Sequence, residues 1–268
     1  MTVANDGDAR KGETTVVFRG RGPDIRADRA ASARLVDVVA DGPTETDGEG
    51  SPTRAVRVWA PHRQVAFGRR DARLEGYARA RELAESHGFP PVERSVGGRA
   101  VAYDGTGVLA VARAEPVADF RRGTDERYER LTADVRRALD RVGLETNRGE
   151  PDDSFCPGSH SLSVSGTALD GVRPGAGKVV GIAQRVTTDA ALVSGVVHVD
   201  PEPAIPDVLE EVYGALDVPF DRRSVGSLAG VMDNPIDVET VRTALEEALT
   251  GDGVVERRPV DDRTRAGE

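Results

Sequence analysis

The stretch VVGIAQRVTTDAALVSGVVH, residues 179–198, consists of two valine-rich runs separated by three polar residues. Because β-branched side chains favour strands, this pattern predicts strands at 179–186 and 190–198. Two more apolar runs, 100–103 and 108–112, flank the turn sequence DGTG, and we expect them to form a hairpin. Strands joined by such short connections pair antiparallel, so an antiparallel sheet is the centre of the predicted fold.

Helical periodicity surrounds these strands. Between 122 and 142 the apolar residues recur three and four positions apart, and Gly143 follows as a stop signal. Further helices are predicted at 25–39, 74–86, 205–216 and 238–249, and further short strands at 56–59, 64–67 and 160–164. Hairpins with helices before and between them indicate an α+β fold, in which a mixed, mainly antiparallel sheet is flanked by helices.

Polar composition sets three segments apart from this core. We expect residues 1–14 to be a disordered lead, 41–53 an acidic surface loop rich in glycine and proline, and 251–268 a charged tail. Residues 15–250 are expected to form a single domain. That length is sufficient to bury an apolar core without disulfides.

The composition limits both the compartment and the partners. With 46 acidic and 36 basic residues the formal net charge is −10, which argues against nucleic acid as a partner. The N-terminal residues lack the apolar core of a signal peptide, and no apolar run has the length of a bilayer span. We therefore expect a soluble, cytoplasmic protein with no membrane partner. Only Lys11 and Lys178 are lysines, and this acidic, arginine-rich composition indicates adaptation to concentrated salt.

The segment DSFCPGSHSLSV, residues 153–164, contains the only cysteine of the chain. A lone thiol forms no internal disulfide, so Cys156 is either a buried apolar group or a reactive one. The turn sequence Pro157-Gly158 places it on a loop, where reactive groups are more common. Lys178 is the only lysine inside the predicted domain. It is either a solvated surface residue or an ammonium that stabilises the nucleophilic thiolate, and the two rare residues together favour a catalytic pair.

A second segment, RSVGGRAVAYDGTGVL at 94–109, contains a glycine pair close to an arginine. Gly97 and Gly98 permit a tight turn and a close approach of a ligand, because no Cβ intervenes. Arg94 is suited to hold an anion or a carbonyl there, although an ordinary turn has the same pattern. With one cysteine and no cluster of histidines, no metal site is expected. Neither a phosphate-binding GxxxxGK[ST] loop nor a GxSxG elbow occurs.

These motifs resemble, in this order, the lipoate/octanoate branch of the biotin–lipoate protein ligase superfamily. The matching segments are FGRRDARL (67–74), RSVGGRAVAYDGTGVL (94–109), SFCPGSHSLSV (154–164) and GKVVGIAQRV (177–186). The resemblance runs from about Val56 to Val199 and implies the fold of that superfamily's catalytic domain. Among its subfamilies, SFCPGS with GRRDARL is most similar to the amidotransferases that move octanoate from the glycine-cleavage H protein to lipoyl domains.

The resemblance implies roles for individual residues. Cys156 matches the nucleophile that forms an acyl thioester, and Lys178 matches the lysine that activates the thiol and positions the acyl carbonyl. Val96 stands where the family usually has serine or threonine, and Tyr103 stands where many members have histidine. The substrate-binding residues expected are Arg94, Gly97, Gly98, Arg99, Tyr103 and Gly181.

The function that the resemblance implies is transfer of an octanoyl or lipoyl group onto the acceptor lysine of lipoyl domains, through a thioester on Cys156 and without a cofactor. The expected partners are the lipoyl domains of 2-oxoacid dehydrogenase complexes and the glycine-cleavage H protein. The alternative is an ATP-dependent lipoate–protein ligase, which forms an acyl-adenylate with ATP and Mg²⁺ and needs no cysteine. Arg99, in place of the third glycine of the ligases, favours the transferase. A non-catalytic binder of lipoyl domains would use neither Cys156 nor Lys178.

Positive charge is concentrated near these motifs. Residues 57–113 contain ten arginines and six acidic residues, in a chain whose net charge is −10. These arginines are either scattered, solvated side chains or a surface for an acidic acyl-carrying domain, as the resemblance implies. We expect Arg69, Arg70 and Arg99 to form the rim of such a surface.

Overall fold

The computed structural model describes residues 14–40, 53–165, 167–168, 171–172 and 175–260. Residues 1–13 of the predicted lead, 41–52 of the predicted loop and 261–268 of the predicted tail lie outside these residues. The helices are α1 (Ile25–Ala40), α2 (Tyr77–Ser86), α3 (Thr124–Arg141), α4 (Ala204–Ala215), α5 (Leu228–Val231) and α6 (Val238–Thr250). Among the described residues, no helix is long and apolar enough to cross a lipid bilayer.

The strands follow the chain in two groups. Before α3 lie β1 (Thr14–Arg19), β2 (Arg54–Trp59), β3 (Gln64–Phe67), β4 (Pro91–Glu93), β5 (Val101–Tyr103) and β6 (Val108–Pro116). After α3 lie β7 (Asn147–Arg148), β8 (Leu162–Val164), β9 (Thr167–Ala168), β10 (Gly171–Val172), β11 (Gly177–Val186), β12 (Ala190–His198) and β13 (Val254–Pro259).

Eight of these strands form one sheet, in the order β13-β1-β2-β6-β12-β11-β8-β7. β1 lies parallel to both β13 and β2, and the remaining neighbours are antiparallel. β4, β3 and β5 form a second sheet with β3 in the middle, and β9 pairs with β10. The prediction of an α+β fold with a mixed, mainly antiparallel sheet is confirmed.

The predicted strand pair 179–198 lies at the centre of the large sheet. β12 pairs along its length with β6 on one side and β11 on the other, and most of its residues are buried on both faces. Helices α3 and α6 cover one face through an apolar cluster that includes Val17 of β1. Helix α1 covers the other face through Leu35 and Val39, which cluster with Val16 and Phe18 of the same strand. This alternation is expected because successive side chains of a strand point to opposite faces.

The predicted hairpin around DGTG does not form. β5 pairs with β3 in the smaller sheet, whereas β6 pairs with β2 and β12 in the large one. The connection is held by Asp104, whose Oδ1 accepts the backbone N–H groups of residues 106, 107 and 108. Its Oδ2 accepts the N–H of Glu202. A carboxylate that binds four N–H groups stabilises a bend without strand pairing, so the chain crosses from one sheet to the other here.

Part of the predicted charged tail is a strand. Val254–Pro259 forms β13 parallel to β1, so regular structure extends beyond residue 250. An edge strand leaves charged side chains in solvent, and this is why the segment has the composition of a tail. Glu246 of α6 joins the two strands, since it accepts from Arg19 of β1 at 3.0 Å and from Arg257 of β13 at 3.4 Å.

The smaller sheet packs with α2 and α4 around a second apolar cluster. Its members include Phe67, Phe89, Phe155, Cys156 and Tyr213. The two helices approach closely at Gly76, where an added Cβ would lie 1.7 Å from the carbonyl oxygen of Ala215. This layer therefore carries the segment that contains the cysteine.

We expect Gly76→Ala to lower the free energy of unfolding by about 1–3 kcal/mol, the usual cost of overpacking. Gly214→Ala is the matched control, because nothing lies within 4 Å of its Cβ. It lies inside α4, where alanine is favoured over glycine by about 0.5–1 kcal/mol. Chemical denaturation of the two variants should give shifts of opposite sign. Shifts of the same sign would contradict the close approach of α2 to α4.

Candidate active site

The only cysteine lies in the loop between β7 and β8, and 7% of its surface is exposed. Its φ of +42° is in the left-handed region, which costs free energy for a residue with a side chain. The backbone N–H of Cys156 donates to the Tyr213 hydroxyl at 2.6 Å, and that hydroxyl donates to the Ala100 carbonyl at 2.9 Å. Tyr213 of α4 therefore ties the cysteine loop to the segment that follows the glycine pair.

Two N–H donors are directed at the sulfur of Cys156. Nη2 of Arg94 lies 3.1 Å from Sγ, and the backbone nitrogen of Arg99 lies 3.3 Å from it. The same Arg94 nitrogen donates to the carbonyl oxygen of Arg99 at 2.7 Å, which fixes the guanidinium beside the sulfur. Because one donor carries a full positive charge, the pair stabilises the thiolate, the nucleophilic form of cysteine.

The close contact of the Cys156 sulfur with residues 94–99 explains one glycine of the pair, Gly98. Gly98 has a φ of +91°, and a Cβ there would lie 2.5 Å from both the Cys156 sulfur and the Arg94 Nη2. Gly97 is less constrained: its N–H donates to the Gln184 carbonyl at 3.4 Å, and a Cβ there would make only an ordinary contact at 3.6 Å. The absence of a Cβ at Gly98 therefore makes room for the Cys156 thiol.

Lys178, the second residue of β11, is fully buried against the cysteine loop. Its Nζ donates to the carbonyl oxygens of Phe155 and Cys156 at 2.7 Å each. A third bond runs to Oε2 of Glu150 at 2.6 Å. An ammonium has three N–H donors, so all of them are used inside the loop. Gly181 provides room for this side chain, since a Cβ there would lie 3.3 Å from the lysine Cε.

The structure brings Cys156 and Lys178 together, but through a contact that differs from the expected one. The donors to Sγ are Arg94 and the Arg99 N–H, while Lys178 binds the backbone on either side of the thiol-bearing residue. Burial lowers the pKa of Lys178, and the charges of Cys156 and Glu150 oppose that shift. The lysine thus acts on the thiol through its charge and through the loop conformation.

Glu150 is a member of this cluster that no sequence motif indicated. Its Oε1 accepts the N–H of Gly158 at 2.9 Å, and its Oε2 accepts the Ser161 hydroxyl at 2.7 Å as well as Lys178. Burial raises the pKa of Glu150, but the hydrogen bonds from Lys178 and Ser161 outweigh this and hold the pKa below its ordinary value. The carboxylate is therefore charged at neutral pH. An acid six positions before the cysteine was the only available signal.

The predicted arginine rim is only partly exposed. Arg69 and Arg70 lie in solvent. The side chain of Arg99 instead donates through Nη1 to Oδ1 of Asp71 at 3.1 Å, and Asp71 is fully buried. The other oxygen of Asp71 accepts the N–H of Gly68 at 2.9 Å. Arg99 thus contributes its backbone N–H to the thiol and its side chain to the internal packing of the loop.

Two further ring side chains near the thiol are uncharged at neutral pH. Burial raises the pKa of Tyr103 to about 12, so its hydroxyl keeps its proton. His198 is buried with its ring stacked on Phe155 at 4.7 Å, and burial lowers its pKa to about 4. Among the residues that the structure describes, no group of three or more His, Cys, Asp or Glu could hold a metal ion.

The sequence matches one protein-family model, described as the lipoyl protein ligase A/B catalytic domain, over residues 44–250. The octanoyl-[GcvH]:protein N-octanoyltransferase of Exiguobacterium sibiricum is 38% identical over 121 residues, which are 44% of this chain and 42% of that protein. The protein of the same name from Bacillus velezensis is 34% identical over 127 residues, or 47% and 43% of the two chains. The alignments thus span less than half the length of these curated relatives.

The fold is similar to that of a solved ligase. Lipoate-protein ligase A, in a crystal structure with bound ATP, superposes with a TM-score of 0.63 at 18% identity. The superposition covers 93% of this chain and 90% of that one. The likeness confirms the expected catalytic-domain fold.

Gly98→Ala is expected to slow alkylation of Cys156 by iodoacetamide at neutral pH about tenfold, because its Cβ displaces the thiol from the donors that favour the reactive thiolate. Gly97→Ala is the control, since its Cβ makes only an ordinary contact. It should react within about twofold of the unchanged protein. Equal rates for both variants would show that Gly98 does not set the position of the sulfur.

Proposed function

We propose that this chain, which belongs to the lipoyl protein ligase A/B catalytic-domain family, is a cysteine-dependent acyltransferase that moves an octanoyl or lipoyl group onto the acceptor lysine of lipoyl domains. The observation that carries the proposal is the thiol itself. Cys156 is nearly buried, lies in the left-handed region, and has an arginine and a backbone N–H directed at its sulfur. The relatives' names, which specify octanoyl transfer from GcvH, support the same reaction.

The reaction proceeds in two steps on one sulfur. The Cys156 thiolate attacks the carbonyl carbon of the acyl amide on the donor; a C–S bond forms, the C–N bond breaks, and the leaving amine takes up a proton. The amine of the acceptor lysine then attacks the thioester; a C–N bond forms, the C–S bond breaks, and the nitrogen loses its proton as the thiolate is regenerated. Covalent catalysis of this kind replaces one difficult transfer by two easier ones.

The groups around the sulfur suit these steps. In each step the carbonyl oxygen becomes negative two bonds from Sγ, close to the Arg94 guanidinium and the Arg99 N–H. Donors already fixed where charge develops stabilise a transition state without reorganisation. Lys178 holds the loop that presents the sulfur, and its buried charge adds to the positive potential there. No cofactor takes part in this scheme.

An ATP-dependent ligase is the competing function within the same fold. A ligase makes an acyl-adenylate and releases pyrophosphate, and it has no use for a thiol held between two donors.

The acceptor partners we propose are lipoyl domains of 2-oxoacid dehydrogenase complexes, and the donor is the glycine-cleavage H protein. Arg69 and Arg70 are exposed and directly follow Gly68. Gly68 packs against the glycine pair, since its Cβ would lie 1.9 Å from the Gly98 carbonyl oxygen. The two positive charges therefore lie near the segment that contacts the thiol, where they suit an acidic partner.

Incubation with an octanoyl donor is expected to add one octanoyl group to Cys156, and addition of an apo lipoyl domain should then remove it. Intact-protein mass spectrometry measures both steps. Cys156→Ala should abolish the adduct and lower transfer by at least about a thousandfold, because the nucleophile is absent. Transfer by Cys156→Ala at the normal rate, with pyrophosphate released from ATP, would establish the ligase instead.

Charge reversal at Arg69 or Arg70 is expected to raise KM for the acyl-carrying protein about tenfold at low salt and to spare acylation of Cys156 by a small octanoyl thioester. The effect should shrink at about 1 M salt, where the Debye length is only about 3 Å. Arg258→Glu is the control, because Arg258 is a partly exposed arginine in β13, at the edge of the large sheet opposite to β7 and β8. Equal losses on both substrates would place Arg69 and Arg70 in the acyl pocket rather than on a docking surface.

A further inference from the structure

The cysteine loop is closed at its base by backbone and side-chain bonds. The Gly149 N–H donates to the Ser161 carbonyl at 3.0 Å, and the Ser163 hydroxyl donates to the Gly149 carbonyl at 2.7 Å. Glu150 lies immediately inside this closure and binds Gly158 across the loop and Lys178 beneath it. One carboxylate therefore connects the entry of the loop, its exit and the only lysine of the described fold.

We propose that Glu150 is a positioning residue for acyl transfer, whose carboxylate keeps the buried Lys178 amine charged while it ties the cysteine loop to that amine. The proposal rests on the proposed function, because the reaction is what the positioned thiol serves. Glu150 does not touch the reacting sulfur; it acts through Lys178, which binds the backbone carbonyls of Phe155 and Cys156.

The surroundings of Lys178 show why a carboxylate is needed. The charged or titratable groups that face the amine are Glu150, Cys156, Arg94 and His198. Arg94 opposes a second positive charge, and His198 is neutral. Cys156 carries no charge while it is a thiol or a thioester. Glu150 is thus the group that stays negative through the whole reaction, and without it burial favours the neutral amine.

Glu150→Gln separates the charge of this residue from its shape. A carboxylate accepts hydrogen bonds at both oxygens, whereas an amide has one acceptor oxygen and one NH₂ donor. If the amide oxygen keeps the Gly158 N–H, the NH₂ group faces Lys178, and two donors then meet unless the amine gives up its proton. A neutral amine accepts from the amide and keeps its two remaining N–H donors for the loop carbonyls. The Ser161 hydroxyl, which donates to the same Glu150 oxygen, keeps an acceptor in the Gly158 carbonyl at 3.0 Å. We therefore expect the variant to preserve the loop and to remove the charge.

Lysine protonation can be followed directly in this chain because only Lys11 and Lys178 are lysines. In protein labelled with ¹³C at lysine Cε, Lys11→Arg identifies the Lys178 resonance, and its shift with pH reports the charge of the amine. We expect Lys178 to titrate at lower pH in Glu150→Gln than in the unchanged protein. This measurement needs no acyl substrate, so it tests the inference even if octanoyl transfer is not the reaction.

The kinetic test compares the rate of Cys156 acylation by an octanoyl thioester across pH. The ratio of the Glu150→Gln rate to the unchanged rate should fall by about tenfold per pH unit above the pKa of Lys178 in the variant, because the charged fraction falls by that factor. Glu145→Gln is the control, since Glu145 is an exposed acid five residues earlier. Its ratio should stay at one. A Glu150→Gln ratio that is constant with pH, or an unchanged Lys178 titration, overturns the proposal.

The double variant Glu150→Gln/Lys178→Met covers the case in which the single variant does not fold. Lys178→Met leaves the partly buried carboxylate of Glu150 without its cation, which is destabilising, and removal of both charges relieves this. The double variant should unfold at a higher temperature than Lys178→Met alone. A double variant that melts at or below the temperature of Lys178→Met shows that the two residues do not compensate each other, and the proposal is then wrong.

Discussion

The candidate active site depends on one buried ammonium. Lys178 reaches from β11 into the cysteine loop and binds Glu150 and the carbonyl oxygens of residues 155 and 156. These bonds stabilise a loop in which Cys156 has a positive φ, a conformation that a residue with a side chain does not adopt without support. That conformation in turn directs Sγ at the donors of Arg94 and Arg99. Truncation of the Lys178 side chain would remove these bonds and release each of these features in turn.

The fold supplies this arrangement from separate layers. The large sheet provides Lys178 on a central strand that is buried for most of its length, so the ammonium has little freedom to move. The second layer provides Tyr213, whose hydroxyl accepts the Cys156 N–H, and residues 94–99, which supply the Arg94 side chain and the Arg99 N–H. The thiol is therefore fixed from both sides, as the proposed attack on an acyl carbonyl requires. Most of the contacts that hold the thiol and its backbone thus come from residues outside the cysteine loop.

The choice of lysine at this position has a physical reason. Elsewhere the chain buries arginines beside carboxylates, as in Arg57 with Asp28 and Arg113 with Asp134. Those partners suit a planar guanidinium. Lys178 instead meets three acceptors around one point, and a compact ammonium with three donors matches them where a wide planar group does not. A chain whose basic residues are arginines apart from Lys11 and Lys178 therefore keeps a lysine here.

Local sequence predicted most of the helices and strands and the candidate reactive residues. The apolar runs at 179–198 and the helical periodicity at 122–142 depend on neighbouring residues, so the strands and α3 were predictable, and rarity singled out Cys156 and Lys178. Tertiary structure decided which groups meet. Glu150 contacts a lysine 28 positions away and Arg94 a sulfur 62 positions away, and spacing along the chain carries no information about such contacts. For the same reason β5 joined a different sheet from β6, and β13 paired with β1, from which it is far separated in sequence.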